Sequence, residues 1–204
     1  MNTEKHWEHI YRSKAPNAVS WYRQHLETSL ALIQKAAPQR SASIIDVGAG
    51  ESTLVDDLLA RGYTNLTVLD ISQTALATSR KRLGNIAERV RWLAADITRA
   101  DQEPAAYDVW HDRAVFHFLT DLADRKAYVR QVLRAVKRGG HVIVATFGPE
   151  GATRCSGLEV MRYDAESLRA EFGANFRLMT SSLRLHETPF GTIQQFLFCH
   201  CILQ

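Results

Sequence analysis

The sequence predicts an α/β protein with a doubly wound, mostly parallel sheet of seven strands. Between residues 43 and 147, short runs of β-forming residues alternate with amphipathic helical runs. This pattern is typical of a parallel sheet that is covered by helices on both faces. After residue 175, two further β-like runs are separated only by a short turn, which predicts a C-terminal antiparallel hairpin. The chain contains no repeat and no linker, so we expect one domain over residues 1–204.

The N-terminal part predicts helices that lie outside the sheet. Residues 3–12 and 25–37 have helical spacing of apolar side chains, and a turn-rich, proline-containing link separates them. We therefore expect residues 1–40 to form a helical cap and residues 41–204 to form the core.

The core alternates between strands and helices. We predict strands at 43–47, 65–70, 89–94, 107–111 and 141–147. We predict helices at 51–61, 72–83 and 122–137, of which the second is capped by Ser72 and the third ends at Gly139-Gly140. One more helix at 164–172 precedes the hairpin strands at 175–187 and 192–203.

Composition and charge exclude several classes of function. The 25 Lys and Arg residues are interleaved with 22 Asp and Glu residues, so no basic stripe for nucleic acid is expected. No apolar run reaches membrane-spanning length, and the N-terminus lacks the apolar stretch of a signal peptide. The three cysteines have no framework spacing, which fits a reducing compartment. We expect a cytoplasmic monomer or weak dimer without a metal site.

The glycine turn at residues 48–50 follows the first strand and opens the first core helix. In doubly wound sheets this position binds ligands, because glycines permit a close approach of the backbone. The lysine of a phosphate-binding P-loop is absent, since Glu51 and Ser52 follow the second glycine. Thr53 replaces the third small residue of a dinucleotide fingerprint, and Glu51 would repel a pyrophosphate. These residues disfavour an NAD-dependent dehydrogenase.

Two acidic residues end the next two strands. Asp70 lies 20 residues after Gly50, where a carboxylate can accept hydrogen bonds from both hydroxyls of a ribose. Asp96 can accept a hydrogen bond from an adenine amino group, and Ile71 and Ile97 can flank its ring. Each acid alone is also compatible with a turn or helix-capping residue.

Together these segments resemble class I S-adenosylmethionine-dependent methyltransferases. IIDVGAGES is similar to the first motif of that family, VLDIS to its ribose loop and AADI to its adenine loop. YDVWHDRAVFHFL and VLRAVKRGGHVIVATF resemble the segments that follow, and the resemblance covers about residues 40–204. It implies a Rossmann-like methyltransferase fold with S-adenosyl-L-methionine as cofactor. By the same resemblance, the cofactor contacts Gly48, Ala49 and Gly50 with its methionine part, Asp70 with its ribose, and Ile71, Asp96 and Ile97 with its adenine.

The N-terminal segment HWEHIYRSKAPNAVSWY is similar to a subgroup that includes protein-lysine methyltransferases. In that subgroup the segment packs over the cofactor, which makes Tyr11, Trp21 and Tyr22 candidate contacts. The alternative is an aromatic patch that only packs a helix onto the sheet.

Candidate catalytic residues follow the fourth strand. Asp112 is expected to orient substrate or cofactor, Arg113 to contact the cofactor, and His117 to act as a base near neutral pH. A lone histidine within an apolar run such as VFHFL is more often a half-buried structural residue. The Asn/Asp-Pro-Pro-Tyr motif for planar amino groups is absent, which disfavours DNA-adenine and glutamine acceptors.

The sequence therefore predicts in-line methyl transfer to a small-molecule acceptor. A protein side chain such as lysine is the alternative acceptor, and a non-catalytic S-adenosylmethionine-binding module is the alternative of another class. We expect acceptor specificity to come from residues 148–163 and from the hairpin.

Overall fold

The computed structural model describes residues 3–204, and the first two residues of the predicted cap lie outside this range. The helices are α1 (Thr3–Ser13), α2 (Glu27–Ala36), α3 (Leu54–Ala60), α4 (Gln73–Leu83), α5 (Leu122–Ala135) and α6 (Ala165–Phe172). The strands are β1 (Ser43–Val47), β2 (Asn65–Asp70), β3 (Val90–Ala94), β4 (Tyr107–Arg113), β5 (Val136–Phe147), β6 (Arg154–Cys155), β7 (Leu158–Glu159), β8 (Phe176–Glu187) and β9 (Ile193–Leu203). Short 3₁₀ turns occupy Gly84–Arg89 and Phe116–Phe118.

Seven strands form one sheet in the order β3-β2-β1-β4-β5-β9-β8. Strands β1 to β5 are mutually parallel, and β9 runs antiparallel between β5 and β8. The predicted doubly wound sheet with its C-terminal hairpin is therefore confirmed. The strand order reverses between β1 and β4, and in such sheets the crevice at the carboxyl ends of these two strands is the place where ligands bind.

Two apolar layers hold the helices on opposite faces of the sheet. Ile44 and Ile45 are adjacent in β1 and fully buried, but they point to different faces, as the strand period of two requires. Ile45 joins the cluster that contains α5 and α6, whereas Ile44 joins the cluster that contains α2 and α3. The sheet is thus covered on both sides.

The boundary between α5 and β5 differs from the prediction. The helix ends at Ala135, and the strand begins at once at Val136, which pairs with Tyr107 of β4. Gly139-Gly140 therefore lies within the strand, next to the point where the β4–β5 register shifts, and Gly139 has φ +76°. The glycine pair accommodates an irregularity in the sheet instead of ending the helix.

Two other element boundaries also differ from the predicted ones. Helix α3 begins at Leu54 and not at 51, because residues 51–53 complete the turn that follows the glycines. Strand β4 continues two residues beyond the prediction, to Arg113, because Asp112 and Arg113 still pair with β5. The extended strand carries Arg113 to the edge of the crevice.

Helix α1 lies over the carboxyl ends of the strands, while α2 packs against one face of the sheet. The Glu8 carboxylate of α1 accepts hydrogen bonds from the Ser72 hydroxyl (3.1 Å) and the Thr74 backbone N–H (3.2 Å) at the start of α4. Ser72 also caps α4, since its hydroxyl accepts a hydrogen bond from the Ala75 backbone N–H, as predicted. No helix within residues 3–204 has the length and apolar character needed to cross a bilayer.

Candidate functional site

A cavity of about 320 Å³ lies between the carboxyl ends of the parallel strands and helix α1. Its volume falls in the range that small-molecule sites occupy. Nine residues predicted for the site line it: Tyr11, Trp21, Gly48, Asp70, Ile71, Asp96, Ile97, Arg113 and His117. A smaller cavity of about 40 Å³ adjoins it and is lined by Gly48, Ala49, Glu51, Tyr22, Arg113 and other residues.

The glycine turn is shaped by side chains that press against it. Gly48 and Gly50 have φ values of +65° and +55°, in the region that favours glycine. A Cβ atom at Gly48 would overlap Val115, and one at Gly50 would overlap the hydroxyl of Tyr11. Gly50 lines neither cavity, but its backbone N–H donates to Asp70. The absence of a side chain at Gly50 therefore makes room for the Tyr11 side chain of α1.

Asp70 is 4% exposed and faces the larger cavity. Its Oδ2 accepts a hydrogen bond from the Gly50 N–H (2.7 Å), and its Oδ1 accepts one from the Ser72 N–H (2.8 Å). Burial raises the pKa of this carboxyl group to about 6, although the two hydrogen bonds oppose the rise. The group is a carboxylate above that pH, and each oxygen can accept a further hydrogen bond.

Asp96, Ile71 and Ile97 line the cavity at the ends of the two neighbouring strands. Asp96 Oδ1 accepts hydrogen bonds from the N–H (2.9 Å) and the hydroxyl (2.7 Å) of Thr98, which fixes the carboxylate in the loop after β3. This part of the site combines carboxylate acceptors with two flanking isoleucines. It suits a nucleoside, whose hydroxyl and amino groups donate and whose base is flat.

Aromatic rings from the N-terminal segment cover the opposite side of the cavity. Trp7 contacts Trp21 (ring centroids 5.8 Å apart) and Phe118 (5.0 Å), and Tyr11 contacts Trp21 (6.4 Å). Trp7 is a site residue that sequence reasoning missed. Its position four residues before Tyr11, on the same face of α1, is the signal that could have identified it.

The structure contradicts a direct catalytic role for Asp112. Its side chain is fully buried and does not line either cavity. It accepts hydrogen bonds from the Tyr128 hydroxyl (2.6 Å) and from the backbone N–H groups of Val115 (2.9 Å) and Phe116 (3.1 Å). Asp112 therefore holds the loop after β4 in place, including Ala114 at φ +77°. It is a positioning residue.

His117 lines the cavity, but its protonation state disagrees with the role of a base. Its Nδ1 accepts a hydrogen bond from the Phe147 backbone N–H (3.2 Å), so the neutral ring carries its proton on Nε2. Burial lowers the pKa of His117 to about 3, and the charge of Arg113 contributes to this shift. A ring that is neutral and already protonated on Nε2 donates a hydrogen bond and does not accept a proton. This geometry disfavours the expected base role and leaves the Nε2–H group able to donate a hydrogen bond.

Arg113 separates the two cavities and lines both. One guanidinium nitrogen donates to the Trp21 carbonyl oxygen (3.0 Å), and the guanidinium carbon lies 4.8 Å from the centre of the Phe196 ring. Burial lowers the pKa of Arg113 to about 10, which leaves it charged at neutral pH.

Asp46 and His111 form a buried pair in the smaller cavity that sequence reasoning did not identify. They are neighbours in the β1–β4 register, and His111 Nδ1 lies 2.7 Å from Asp46 Oδ1. His111 Nε2 is buried and has no hydrogen-bond partner within residues 3–204. A lone histidine and a lone aspartate 65 positions apart give no sequence signal, because only the strand pairing brings them together.

Among the loop residues expected to select the acceptor, Cys155 of β6 reaches the cavity. Burial raises the pKa of its thiol, so it stays protonated.

Comparison with known proteins relates this chain to methyltransferases. Residues 44–140 match the model of a family described as a methyltransferase domain. Over 139 residues the chain is 27% identical to the eEF1A lysine and N-terminal methyltransferase of Mus musculus; the match covers 68% of this chain and 19% of the relative. The chain thus spans about a fifth of the length of that curated relative.

Two solved methyltransferases share the whole architecture. The N-methyltransferase NodS of Bradyrhizobium japonicum, in complex with S-adenosylhomocysteine, has a TM-score of 0.73 at 15% identity, over 100% of this chain and 99% of that one. The 1,6-didemethyltoxoflavin-N1-methyltransferase of Burkholderia thailandensis, with bound 1,6-didemethyltoxoflavin and S-adenosylhomocysteine, has a TM-score of 0.70 at 17% identity, over 96% of this chain and 81% of that one. These likenesses establish the fold.

Proposed function

We propose that the chain, whose residues 44–140 match a methyltransferase domain, transfers the methyl group of S-adenosyl-L-methionine to a small-molecule acceptor. The observation that carries the proposal is the grouping of a glycine turn with two acidic strand ends around one cavity. The 320 Å³ space has carboxylate acceptors on one side and aromatic rings on the other. The carboxylate side suits a nucleoside, and the aromatic side suits an organic acceptor.

The residues present fit the cofactor. Asp70 would accept hydrogen bonds from the ribose hydroxyls, and Asp96 would accept one from the adenine amino group between Ile71 and Ile97. Gly48 and Ala49 would form the floor beneath the amino-acid part, with Tyr11, Trp21 and Arg113 around it, while Gly50 would act through its hydrogen bond to Asp70. When bound, the cofactor supplies an electrophilic methyl group on a sulfonium.

The chain's own contribution to such a reaction is alignment and exclusion of water. In-line displacement at a methyl group needs a nucleophile held at a fixed distance and angle. Trp7, Trp21 and Phe118 close the cavity from the side of α1 and keep solvent from the reacting atoms. Asp112 fixes the loop that follows Arg113 and carries His117.

Isothermal titration tests the cofactor assignment. We expect the purified protein to bind S-adenosylhomocysteine and to show no comparable affinity for NADH, because Glu51 disfavours a pyrophosphate at the glycine turn. Binding of NADH without binding of S-adenosylhomocysteine would refute the proposal.

A protein lysine is the second candidate acceptor, and the similarity to eEF1A lysine methyltransferases supports it. The small-molecule proposal is favoured by the aromatic side chains of Trp7 and Phe118, which line the cavity and suit a compact organic acceptor. Incubation of a cell lysate with the protein and methyl-labelled S-adenosylmethionine separates the two. We expect label in the small-molecule fraction, whereas label in discrete protein bands would favour lysine. Cofactor binding with no transfer into either fraction would favour a non-catalytic module.

A further inference from the structure

One part of the cavity is walled almost entirely by flat rings, and we call it the aromatic end. Its members are contributed by α1, the following link, the 3₁₀ turn after β4, and strands β5 and β9: Trp7, Trp21, His117, Phe118, Phe147 and Phe196. His117 stacks on Phe147 with centroids 4.5 Å apart and planes 11° apart, and Phe147 contacts Phe196 at 4.9 Å. Such faces complement a planar molecule.

The aromatic end contains a hydrogen-bond donor without a partner. His117 is fully buried, and its Nδ1 is occupied by the Phe147 N–H. Its Nε2 therefore carries the proton, and this atom has no hydrogen-bond partner within residues 3–204. A buried N–H without an acceptor costs about 1–3 kcal/mol. Because His117 lines the cavity, a ligand oxygen reaches this atom after a small shift of the surrounding side chains and removes that cost.

A positive charge lies beside this donor. The Arg113 guanidinium rests over Phe196, whose ring also contacts His117, and it donates to the Trp21 carbonyl. Within residues 3–204, no carboxylate forms an ion pair with Arg113. None of the six residues of the aromatic end is acidic. Asp46 acts on Arg113 electrostatically, and Asp70, Asp96 and Asp124 line other parts of the cavity, so the attraction for an anion is confined to the aromatic end beside Arg113.

Building on the proposed function, we propose that the acceptor is a planar aromatic or enolic compound that is methylated as its oxyanion. The oxyanion accepts a hydrogen bond from His117 Nε2–H and faces the Arg113 guanidinium, while its ring lies against the aromatic end. His117 is then a residue that contacts the substrate as a donor.

The transfer balances without a base in the protein. The acceptor hydroxyl loses its proton to solvent, and the positive field of Arg113 promotes this loss by stabilising the anion. A lone pair of the oxyanion forms the new O–CH₃ bond while the sulfonium S–CH₃ bond breaks. The electrons of the broken bond stay on sulfur, so the products are a neutral methyl ether and S-adenosylhomocysteine.

A spectroscopic titration tests the proposal without turnover. 4-Nitrophenol is a planar probe whose phenolate absorbs at a longer wavelength than the phenol, so its ionisation can be followed directly. We expect the protein saturated with S-adenosylhomocysteine to bind it and to increase its acidity about tenfold, as a hydrogen bond to a charged group would. His117→Phe keeps a ring against Phe147 and removes the donor, so most of that increase is lost.

Matched variants complete the experiment. His141→Phe makes the same replacement at a histidine that pairs with His200 (2.8 Å) and lies outside the cavity, so it should retain the full effect. His117→Gln restores a side-chain N–H and should recover part of the increase in acidity.

Titration with S-adenosylhomocysteine shows that each variant is folded and separates the two proposals. If the cofactor product binds but the wild-type protein leaves the acidity of 4-nitrophenol unchanged, or if His117→Phe matches the wild type, the oxyanion proposal is wrong. If the cofactor product does not bind, the proposed function fails and this inference fails with it.

Discussion

Asp70 and Asp112 are both buried carboxyl groups, and burial raises the pKa of each to about 6. Their surroundings nevertheless give them different roles. Asp70 accepts hydrogen bonds from two backbone N–H groups and faces the cavity, so it retains capacity for a ligand. Asp112 accepts three hydrogen bonds from its own loop and from Tyr128, and it is closed off from the cavity. The difference lies in orientation and not in residue type.

The affinity for S-adenosylhomocysteine should depend on pH through Asp70. The ribose hydroxyls donate to the carboxylate, so we expect affinity to rise as the pH rises through about 6 and to level off above it. Titration calorimetry between pH 5 and 8, with Asp70→Asn as the comparison, measures this, since the variant cannot ionise. An equally steep pH dependence in Asp70→Asn would assign the effect to another group.

The ligand-free protein should show the opposite trend in stability. The folded state holds the Asp70 proton more tightly than the unfolded chain, whose carboxyl has a pKa of 3.8. The contribution to the free energy of unfolding is therefore largest below that value and is lost as the pH rises to about 6. Asp112 acts in the same direction.

Asp112→Ala should destabilise the fold. The substitution leaves the Tyr128 hydroxyl and two backbone N–H groups without their acceptor, at a cost of about 3 kcal/mol or more in the free energy of unfolding. Urea denaturation measures the loss. Asp101→Ala, at an exposed ion pair with Arg134, should cost less than about 0.5 kcal/mol. Unchanged stability with lost methyl transfer would instead restore a direct catalytic role for Asp112.

At the scale of elements, helix α1 closes the site from outside the sheet. Its Glu8 accepts hydrogen bonds from Ser72 and Thr74 at the N-terminus of α4, where a helix also favours negative charge. The same helix presents Trp7 and Tyr11 to the cavity. The docking of α1 on α4 therefore controls how completely the cavity is enclosed.

Glu8→Gln should weaken this docking. The loss of charge-assisted hydrogen bonds should reduce the affinity for S-adenosylhomocysteine by about five- to tenfold and increase amide hydrogen exchange in α1. Glu4→Gln removes the same charge from an exposed position one turn earlier and serves as the control. Equal behaviour of the two variants would mean that α1 does not depend on the Glu8 contacts.

At the scale of the whole molecule, the reversal of strand order between β1 and β4 collects the ends of separate strands at one crevice. A ligand that contacts several of these ends holds the sheet and α1 together. We expect S-adenosylhomocysteine at about 100 times its dissociation constant to stabilise the fold by about 2.7 kcal/mol. This corresponds to a rise in Tm of roughly 5–10 °C for a domain of this size. Adenosine lacks the amino-acid part and should give a smaller shift, and an equal shift would contradict the contacts proposed at the glycine turn.

The sequence by itself determined the sheet, its hairpin and the place of the cavity. Alternation of strands and helices dictates a parallel sheet, and parallel strands bring Gly48, Asp70 and Asp96 to one edge whatever their distance in the chain. These features follow from local patterns and general topology, so they could be predicted. The glycine pair at 139–140 could not, because only the pairing of β4 with β5 distinguishes a sheet irregularity from the end of a helix.

Tertiary structure alone decided the direction and protonation of the polar side chains. Asp112 turns toward Tyr128 of α5, and His117 receives the N–H of Phe147, a residue 30 positions away. The Asp46–His111 pair likewise exists only through the β1–β4 register. A side chain at a strand end can face either a cavity or the core, and the hydrogen-bond partners that settle the choice come from distant segments. The chemistry of the aromatic end was therefore set by the packed molecule and not by any motif.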